Sequence, residues 1–285
     1  MNEPTLAVIG AGTMGAGLAT LAVGHGVPVV LVDDSADARA RAEDVVRGNL
    51  RMAQMLGKLP AEASADGLLE LGADPRAAAG ATAVVECVVE RSEVKAKVLA
   101  EVSAAVAPGT PLLTNTSAIP VDELAAAAAR PADVLGAHFM NPPYLIEGVE
   151  VVRGPRTAPE ALERALDLLV RLGRTPVVVG DGPGFVINRV LQRMINEAAT
   201  IVQEGLATPE EVDTLFTSCL GHRTGPLATG DLIGLDNVVD TLHVLHERTG
   251  SDGYRPCRLL LEKVGQGRFG RKTGSGFYTY GTGIA

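Results

Sequence analysis

The chain has 285 residues, of which 46% are hydrophobic and 21% are charged, a composition typical of a globular protein with room for two hydrophobic cores. Its formal charge of -9 argues against a nucleic-acid backbone or an anionic membrane surface as partner. Cys87, Cys219 and Cys257 form no C-x-x-C pair, so neither a disulfide framework nor a metal site is predicted. The N-terminal residues lack the pattern of a secretory leader and no apolar span approaches twenty residues, so we expect a cytoplasmic protein.

The first segment has the pattern of a dinucleotide-binding unit. A short apolar strand pattern at residues 5–9 is followed by Gly10-Ala-Gly-Thr-Met-Gly15 and then by a helical pattern at 16–23. In such a loop the first glycine permits a tight turn, the second lets backbone N–H groups approach a pyrophosphate, and the third lets the helix pack closely on the strand. The start of the helix then faces the phosphates with its partial positive charge. The loop residues predicted to contact the cofactor are Gly10, Gly12, Thr13, Met14 and Gly15.

Asp33 completes this pattern. It ends a second predicted strand at residues 27–32, about where the dinucleotide fingerprint has an acid for the hydroxyl groups of the adenosine ribose. No arginine directly follows Asp33, which favours NAD over NADP. Strand, glycine loop, helix and acid together predict an NAD site.

The order of the elements predicts two domains. Strands alternate with helices over residues 1–183, which is typical of a Rossmann-type α/β domain with a doubly wound parallel sheet. Residues 36–72 are helical for longer than an ordinary crossover, and we expect a helical hairpin insertion there, with helices at 38–56 and 62–71. Residues 184–285 show only helical patterns and predict a smaller all-α domain. Its first helix, at 185–202, is apolar on more than one face, so we expect it to form a homodimer interface.

His138 is the candidate catalytic residue. It ends an apolar strand pattern, the chain then turns at Asn141-Pro-Pro143, and Glu150 lies in the next short strand. A carboxylate can hold one tautomer of a histidine, which suits a general base. A His–Glu spacing is not itself a motif, however, and a buried histidine with one hydrogen bond fits the same pattern.

Other polar residues fall where the strands of the predicted sheet end. The carboxyl ends of parallel strands line the ligand crevice, and four side chains are expected to gather there: Glu86, Glu90, Ser117 and His138. Lys58, between the two predicted hairpin helices, fits either a contact with a substrate phosphate or a solvated lysine. Asn188, in the first turn of the long helix, fits either a substrate contact or a capping hydrogen bond.

Six motifs carry a resemblance to a known family. They are Gly10-Ala-Gly-Thr-Met-Gly15, Asn115-Thr-Ser117, His138-Phe-Met-Asn-Pro-Pro143 with Val149-Glu-Val151, Asp181-Gly-Pro-Gly-Phe-Val-Ile-Asn-Arg189, Gly225-Pro226 with Asp231-Leu-Ile-Gly-Leu-Asp236, and Gly270-Arg-Lys-Thr-Gly-Ser-Gly-Phe-Tyr278. In this order, over nearly the whole chain, they resemble the L-3-hydroxyacyl-CoA dehydrogenase family. The resemblance implies an NAD-binding Rossmann domain, a helical dimerisation domain, and interconversion of a 3-hydroxyacyl and a 3-oxoacyl thioester.

The resemblance also implies roles for single residues. His138 is the base and Glu150 orients it, while Ser117 and Asn188 bind the substrate and stabilise charge developing on its oxygen. Glu90 lies beside the nicotinamide end of the cofactor. Two further positions in the same motifs are assigned by the resemblance, Asn115 to the cofactor and Asn141 to the substrate.

Departures from the family leave the carrier of the acyl group open. Many members have lysines near Gly57 and at the position of Glu147, whereas this chain has Met55, Leu56 and Glu147. Fewer cations weaken the case for free coenzyme A. The alternative is a hydroxyacyl group tethered to an acyl carrier protein, as in antibiotic or polyketide extender-unit biosynthesis.

More distant alternatives remain. Relatives of the family act on carnitine and on gulonate, and a crystallin-like binding protein without catalysis is a third possibility. Three segments also follow the order of elements in penicillin-recognising serine hydrolases, although the middle one lacks its asparagine. These segments are Ser92-Glu-Val-Lys95, Ser251-Asp-Gly253 and Lys272-Thr-Gly274.

Overall fold

The structure, a computed structural model, describes residues 5–281, and these divide into two compact units with the boundary between Phe185 and Val186. The first unit is built on one sheet. Its strands are β1 (Leu6–Ile9), β2 (Val29–Val32), β3 (Leu69–Gly72), β4 (Ala83–Glu86), β5 (Leu112–Thr114), β6 (Val134–Phe139), β7 (Gly148–Arg153) and β8 (Thr175–Gly180).

The strands lie in the order β3-β2-β1-β4-β5-β6-β7-β8, and every neighbouring pair is parallel except β6 and β7. The helices of this unit are α1 (Thr13–Gly24), α2 (Ala36–Met55), α3 (Ser92–Ala105), α4 (Val121–Ala125) and α5 (Pro159–Arg171). β1 is buried along its whole length because alternate side chains enter two hydrophobic clusters, Val8 in one and Ala7 in the other. The predicted α/β fold with a doubly wound sheet is confirmed.

The predicted second helix of the hairpin insertion, at residues 62–71, is wrong. α2 ends at Met55, and the chain runs through turns into β3, which pairs with β2 at the edge of the sheet. Gly67 has a φ of +75°, a left-handed conformation that does not continue a helix. The open edge of β2 offers hydrogen-bonding partners to the returning chain, a nonlocal preference that helical periodicity does not contain.

The second unit is helical in its described residues. Its helices are α6 (Ile187–Gln203), α7 (Pro209–Leu220), α8 (Pro226–Ile233), α9 (Leu235–Thr249) and α10 (Arg258–Gly265). They enclose a separate apolar core that includes Ile195, Leu227 and Leu242. The buried carboxylate of Asp231 accepts hydrogen bonds from the N–H groups of Phe277 and Tyr278, so the C-terminal segment is fixed to α8. Among residues 5–281, no helix combines the length and the apolar character needed to cross a membrane.

Candidate active site

The three glycines between β1 and α1 differ in what surrounds them. Gly10 has a φ of +105°, and a Cβ atom there would lie 2.7 Å from the carbonyl oxygen of Cys87. A Cβ atom at Gly15 would lie 1.7 Å from the carbonyl oxygen of Gly10, so this helix start packs against its own turn. A Cβ atom at Gly12 would meet no protein atom within 4 Å. The first and third glycines therefore shape the turn, and the second leaves open space for a ligand.

Asp33 lies beside this turn. One of its carboxylate oxygens accepts a hydrogen bond from the N–H of Ala11 at 2.8 Å, and the other accepts one from the N–H of Ser35 at 2.9 Å. The guanidinium of Arg39, on α2, donates to the main-chain carbonyls of Asp33 and Asp34 at 2.6 and 3.2 Å. Asp33 thus holds the glycine loop and still has lone pairs for a diol. Arg39 was not among the predicted site residues.

A cleft of about 730 Å³ opens at this end of the sheet. Gly10, Gly12 and Asp33 line it, together with apolar side chains such as Val32 and Val88. Open space at Gly12, an acid at the end of β2 and apolar walls fit a dinucleotide. α1 begins three residues earlier than the helical pattern at 16–23 predicts, so Thr13 and Met14 lie in its first turn and not in the loop; their contact with the cofactor stays a prediction. Burial raises the pKa of the Cys87 thiol, which also lines the cleft, so this cysteine stays protonated.

His138 and Glu150 are brought together by the sheet. They are directly opposite each other in the antiparallel pair of β6 and β7, and their side chains therefore point to the same face. The Nδ1 atom of His138 lies 3.0 Å from Oε2 of Glu150. His138 is 7% exposed and Glu150 is 4% exposed. Nδ1 is occupied by the carboxylate, which leaves Nε2 as the nitrogen that can exchange a proton with a ligand.

Two neighbours fix the surroundings of this pair. The ring of Phe185 packs edge-on against the imidazole of His138, with the ring centroids 6.0 Å apart. Phe185 is buried and has a φ of +50°, an uncommon left-handed conformation for a bulky residue. The side-chain oxygen of Asn115 accepts a hydrogen bond from the N–H of Phe139, so the end of β5 is tied to the residue after His138. The contact of Asn115 with the cofactor stays a prediction.

Glu90 and Ser117 also lie together. One oxygen of Glu90 accepts hydrogen bonds from Thr116 Oγ1, Ser117 N, Ser117 Oγ and Ala118 N, at 2.7 to 3.2 Å. Burial alone would raise the pKa of Glu90, but Lys95 and the donors of Thr116 and Ser117 outweigh burial and lower that pKa. An ionised Glu90 therefore holds the loop of residues 116–118 at the end of β5.

Three predicted substrate contacts are not brought together with His138 by the contacts of the first unit. Lys58 is exposed and lies 3.5 Å from a carboxylate oxygen of Glu147. Asn141 is exposed in the loop after β6. Asn188 lies in the first turn of α6, in the second unit. The roles assigned to them stay predictions.

Sequence reasoning missed two buried cations of the first unit. Lys95 lies between Glu86 and Glu90. Because both carboxylates hold its ammonium group, the hypothesis that Ser92-Glu-Val-Lys95 is a serine-hydrolase element loses its lysine. Arg174 donates to the carbonyls of Pro143 and Ile146 and so holds the loop after His138. Burial lowers the pKa of Arg174. The available signal was the helical spacing of Lys95 with Leu99 and Val102, which places a lysine within an apolar stripe.

Known proteins show the same organisation. The family model described as "3-hydroxyacyl-CoA dehydrogenase, NAD binding domain" matches residues 5–182, and the model of the C-terminal domain of the same family matches residues 184–280. A probable 3-hydroxybutyryl-CoA dehydrogenase of Deinococcus radiodurans is 40% identical over 274 residues, which cover 96% of this chain and 99% of the relative. A probable 3-hydroxybutyryl-CoA dehydrogenase of Bacillus subtilis is 38% identical and covers 98% of each chain.

Solved structures agree. The crystal structure of (S)-3-hydroxybutyryl-CoA dehydrogenase PaaH1 from Ralstonia eutropha superposes with a TM-score of 0.93 at 35% identity, and the match covers 99% of this chain and 100% of the other. The resemblance read from the six motifs is thereby confirmed, and so is NAD as the cofactor. The chain belongs to the 3-hydroxyacyl-CoA dehydrogenase family.

Proposed function

We propose that this protein is an NAD-dependent dehydrogenase that interconverts a 3-hydroxyacyl and a 3-oxoacyl thioester, with His138 as the general base. The observation that carries the proposal is the buried hydrogen bond between Nδ1 of His138 and Glu150, in the sheet whose strands β1, β2 and β4 line a dinucleotide cleft at their carboxyl ends. Membership of the family supports the reaction, and the substrates named for its relatives support a thioester.

NAD supplies the acceptor for a hydride when the hydroxyl carbon is oxidised. Gly12 and the start of α1 would hold its pyrophosphate, and Asp33 would accept hydrogen bonds from its adenosine ribose. These residues place the cofactor without taking part in proton transfer. The negative charge of the Asp33 carboxylate would repel the additional phosphate of NADP.

His138 would take the hydroxyl proton on Nε2 as the substrate is oxidised. The imidazolium formed in that step lies next to the carboxylate of Glu150, which stabilises its charge in a place that water hardly reaches. Ser117 and Asn188, as the family resemblance implies, would donate hydrogen bonds to the substrate oxygen and stabilise the charge that develops on it.

A second candidate substrate is the same acyl group on an acyl carrier protein. The observation in its favour is the carboxylate of Glu147, which lies 3.5 Å from Nζ of Lys58, because its negative charge lowers the positive potential that the phosphates of coenzyme A would meet there. A carrier protein presents the phosphopantetheine arm without those adenosine phosphates.

The test is oxidation of NADH with acetoacetyl-CoA and with the same acyl group on a carrier protein. A higher kcat/KM with the coenzyme A ester supports the first substrate, and a higher value with the carrier protein supports the second. Glu147→Lys should raise kcat/KM for the coenzyme A ester only, because it replaces the neutralising carboxylate by a cation. Turnover of neither substrate by a folded protein that binds NADH would overturn the proposed function.

A further inference from the structure

Lys95 is a buried lysine that contacts both ends of a short loop after β4. It lies on α3 and is 1% exposed. Its Nζ atom is 2.9 and 3.2 Å from the two carboxylate oxygens of Glu86, 3.2 Å from Oε2 of Glu90 and 3.3 Å from the carbonyl oxygen of Val88. One ammonium group therefore joins the end of β4, the wall of the dinucleotide cleft and Glu90.

Each carboxylate then reaches a second part of the unit. Glu86 accepts hydrogen bonds from the N–H of Val88 at 2.7 Å and from Thr114 Oγ1 on β5 at 2.7 Å. The other oxygen of Glu90 accepts the four donors of the 116–118 loop, including both the N–H and the hydroxyl of Ser117. The network runs without interruption from the cofactor cleft to the loop that carries the predicted substrate serine.

The charges of this network depend on one cation. Burial alone would lower the pKa of Lys95, but Glu86 and Glu90 outweigh burial and raise it. Among the described residues, the titratable groups that act on Lys95 are Glu86, Glu90 and Cys87, and the one that acts on Glu90 is Lys95. The thiol of Cys87 stays protonated. The 116–118 loop itself contains no titratable side chain. Without Lys95, two carboxylates would remain close together with no counter-charge.

We propose that Lys95 is a positioning residue of the dehydrogenase, which fixes Ser117 relative to the cofactor cleft by holding Glu90 and the carbonyl of Val88 at the same time. The inference rests on the proposed function, in which Ser117 contacts the substrate oxygen. Lys95 itself touches neither substrate nor cofactor in this scheme. Its removal is expected to disturb the placement of the substrate rather than the proton transfer to His138.

The ionisation of Glu90 determines how the hold on the 116–118 loop changes with pH. The negative charge of the carboxylate strengthens all four hydrogen bonds to Glu90, so the 116–118 loop is held firmly above the pKa of Glu90 and loosened below it. Because Lys95 lowers that pKa, removal of the lysine moves the release of the loop to higher pH. The reaction is best followed as reduction of the 3-oxoacyl ester, since His138 must then enter protonated and gives no loss of activity towards acid.

The main variant is the double substitution Lys95→Met with Glu86→Gln, which removes the buried ion pair as a unit and spares the protein an unpaired buried carboxylate. We expect kcat/KM for acetoacetyl-CoA to fall roughly tenfold to a hundredfold, mainly through KM, with a new acidic limb in its pH profile. Lys95→Arg should recover part of the activity. Glu90→Gln in the double variant should abolish the new limb. Lys263→Met is the matched control, because Lys263 is a buried lysine whose Nζ atom donates to the Gly276 carbonyl.

A second measurement separates this inference from the proposed function. Hydrogen exchange at the N–H groups of Ser117 and Ala118 needs no turnover, and protection should be lost at higher pH in the double variant than in the wild-type protein. Unchanged protection, or a loss of activity that is uniform with pH, would overturn the role of Lys95. If the wild-type protein reduces no acyl thioester, the proposed function fails and the exchange data still decide whether Lys95 controls the loop. If the double variant does not fold, Lys95→Gln with Glu86→Gln supplies the same comparison, because it also removes the buried cation and its counter-charge but keeps hydrogen-bonding groups at both positions.

Discussion

The two residues of the His138–Glu150 pair are both almost fully excluded from water, and this sets how strongly each depends on the other. An exposed ion pair can be broken at little cost because water replaces the lost partner. A buried pair leaves the remaining group without solvation or partner when one member is removed. Glu150 is therefore expected to contribute to activity through its contact with His138.

His138→Ala should lower kcat by ~10²-fold or more, because the hydroxyl proton then has no positioned acceptor. The dissociation constant of NAD, measured by titration calorimetry, should change little. Glu150→Gln, which keeps a hydrogen-bonding group of the same size, should also lower kcat. The losses in the double variant should be less than additive, since nothing remains for residue 150 to orient. Additive losses would show that Glu150 acts elsewhere, and normal kcat in His138→Ala would remove the mechanism.

Asp33 and Arg39 together are expected to set the choice of cofactor. Asp33→Asn keeps an acceptor for the N–H of Ala11 or Ser35 but removes the charge, so the preference for NAD over NADP in kcat/KM should narrow by about tenfold or more, which corresponds to about 1.4 kcal/mol. The gain with NADP should require the guanidinium of Arg39 nearby. Arg39→Ala in the Asp33→Asn background should therefore abolish the gain in kcat/KM with NADP. Equal use of both cofactors by the wild-type protein would contradict this account.

In the turn between β1 and α1, one glycine is needed for the fold and another for cofactor binding. Gly15 lies where its own turn leaves no space for a side chain, whereas Gly12 lies where the protein leaves space unused. Two glycines of one motif are thus needed for different reasons, Gly15 for close backbone packing and Gly12 for ligand space. The difference can be measured with the same substitution at each position.

Gly15→Ala should destabilise the first unit by on the order of 3 kcal/mol, because the new methyl group would overlap the Gly10 carbonyl and force the backbone apart. Gly12→Ala should change the free energy of unfolding by less than about 0.5 kcal/mol. It should nevertheless weaken NAD binding by at least about tenfold, since the methyl group would occupy the space of the pyrophosphate. Urea unfolding and NAD titration check the two effects. A Gly12→Ala variant with normal NAD affinity would place the cofactor elsewhere.

At the scale of the whole molecule, the second unit exposes much apolar surface. Val190 on α6 and Leu220 on α7 are each 64% exposed, and Leu206 is 73% exposed. The buried stripe of α6, by contrast, faces the core of its own unit with Ile195, a narrower face than the sequence led us to expect. Exposed apolar surface of this kind favours association, and we propose that the protein is a homodimer.

Light scattering at micromolar concentration should therefore give twice the mass of one chain. Leu220→Glu should shift the equilibrium towards the monomer if α7 takes part in the interface, because a carboxylate is costly to bury. Glu160→Gln on α5, in the first unit, is a control that changes a surface charge elsewhere. A monomer at all accessible concentrations would rule the dimer out.

The sequence predicted features that depend on local order along the chain. The glycine loop, Asp33 and the α/β alternation follow from short segments, and His138 and Glu150 are separated by one turn. The strand β3 and the role of Lys95 depend instead on partners distant in the chain or on three-dimensional burial. The helical spacing of Lys95 indicates that this lysine is buried, but only the three-dimensional structure shows that Glu86 and Glu90 are its partners.

The antiparallel register of β6 and β7 has a consequence for how substrate range can change. His138 and Glu150 are paired by the hydrogen-bonding ladder of two strands, so the length of the loop between them, residues 140–147, does not determine their contact. A slip of one residue in the ladder would turn Glu150 to the opposite face of the sheet, whereas added or deleted loop residues would leave the pair intact. We therefore expect that loops of other lengths can be exchanged at this position while the contact between His138 and Glu150 is kept.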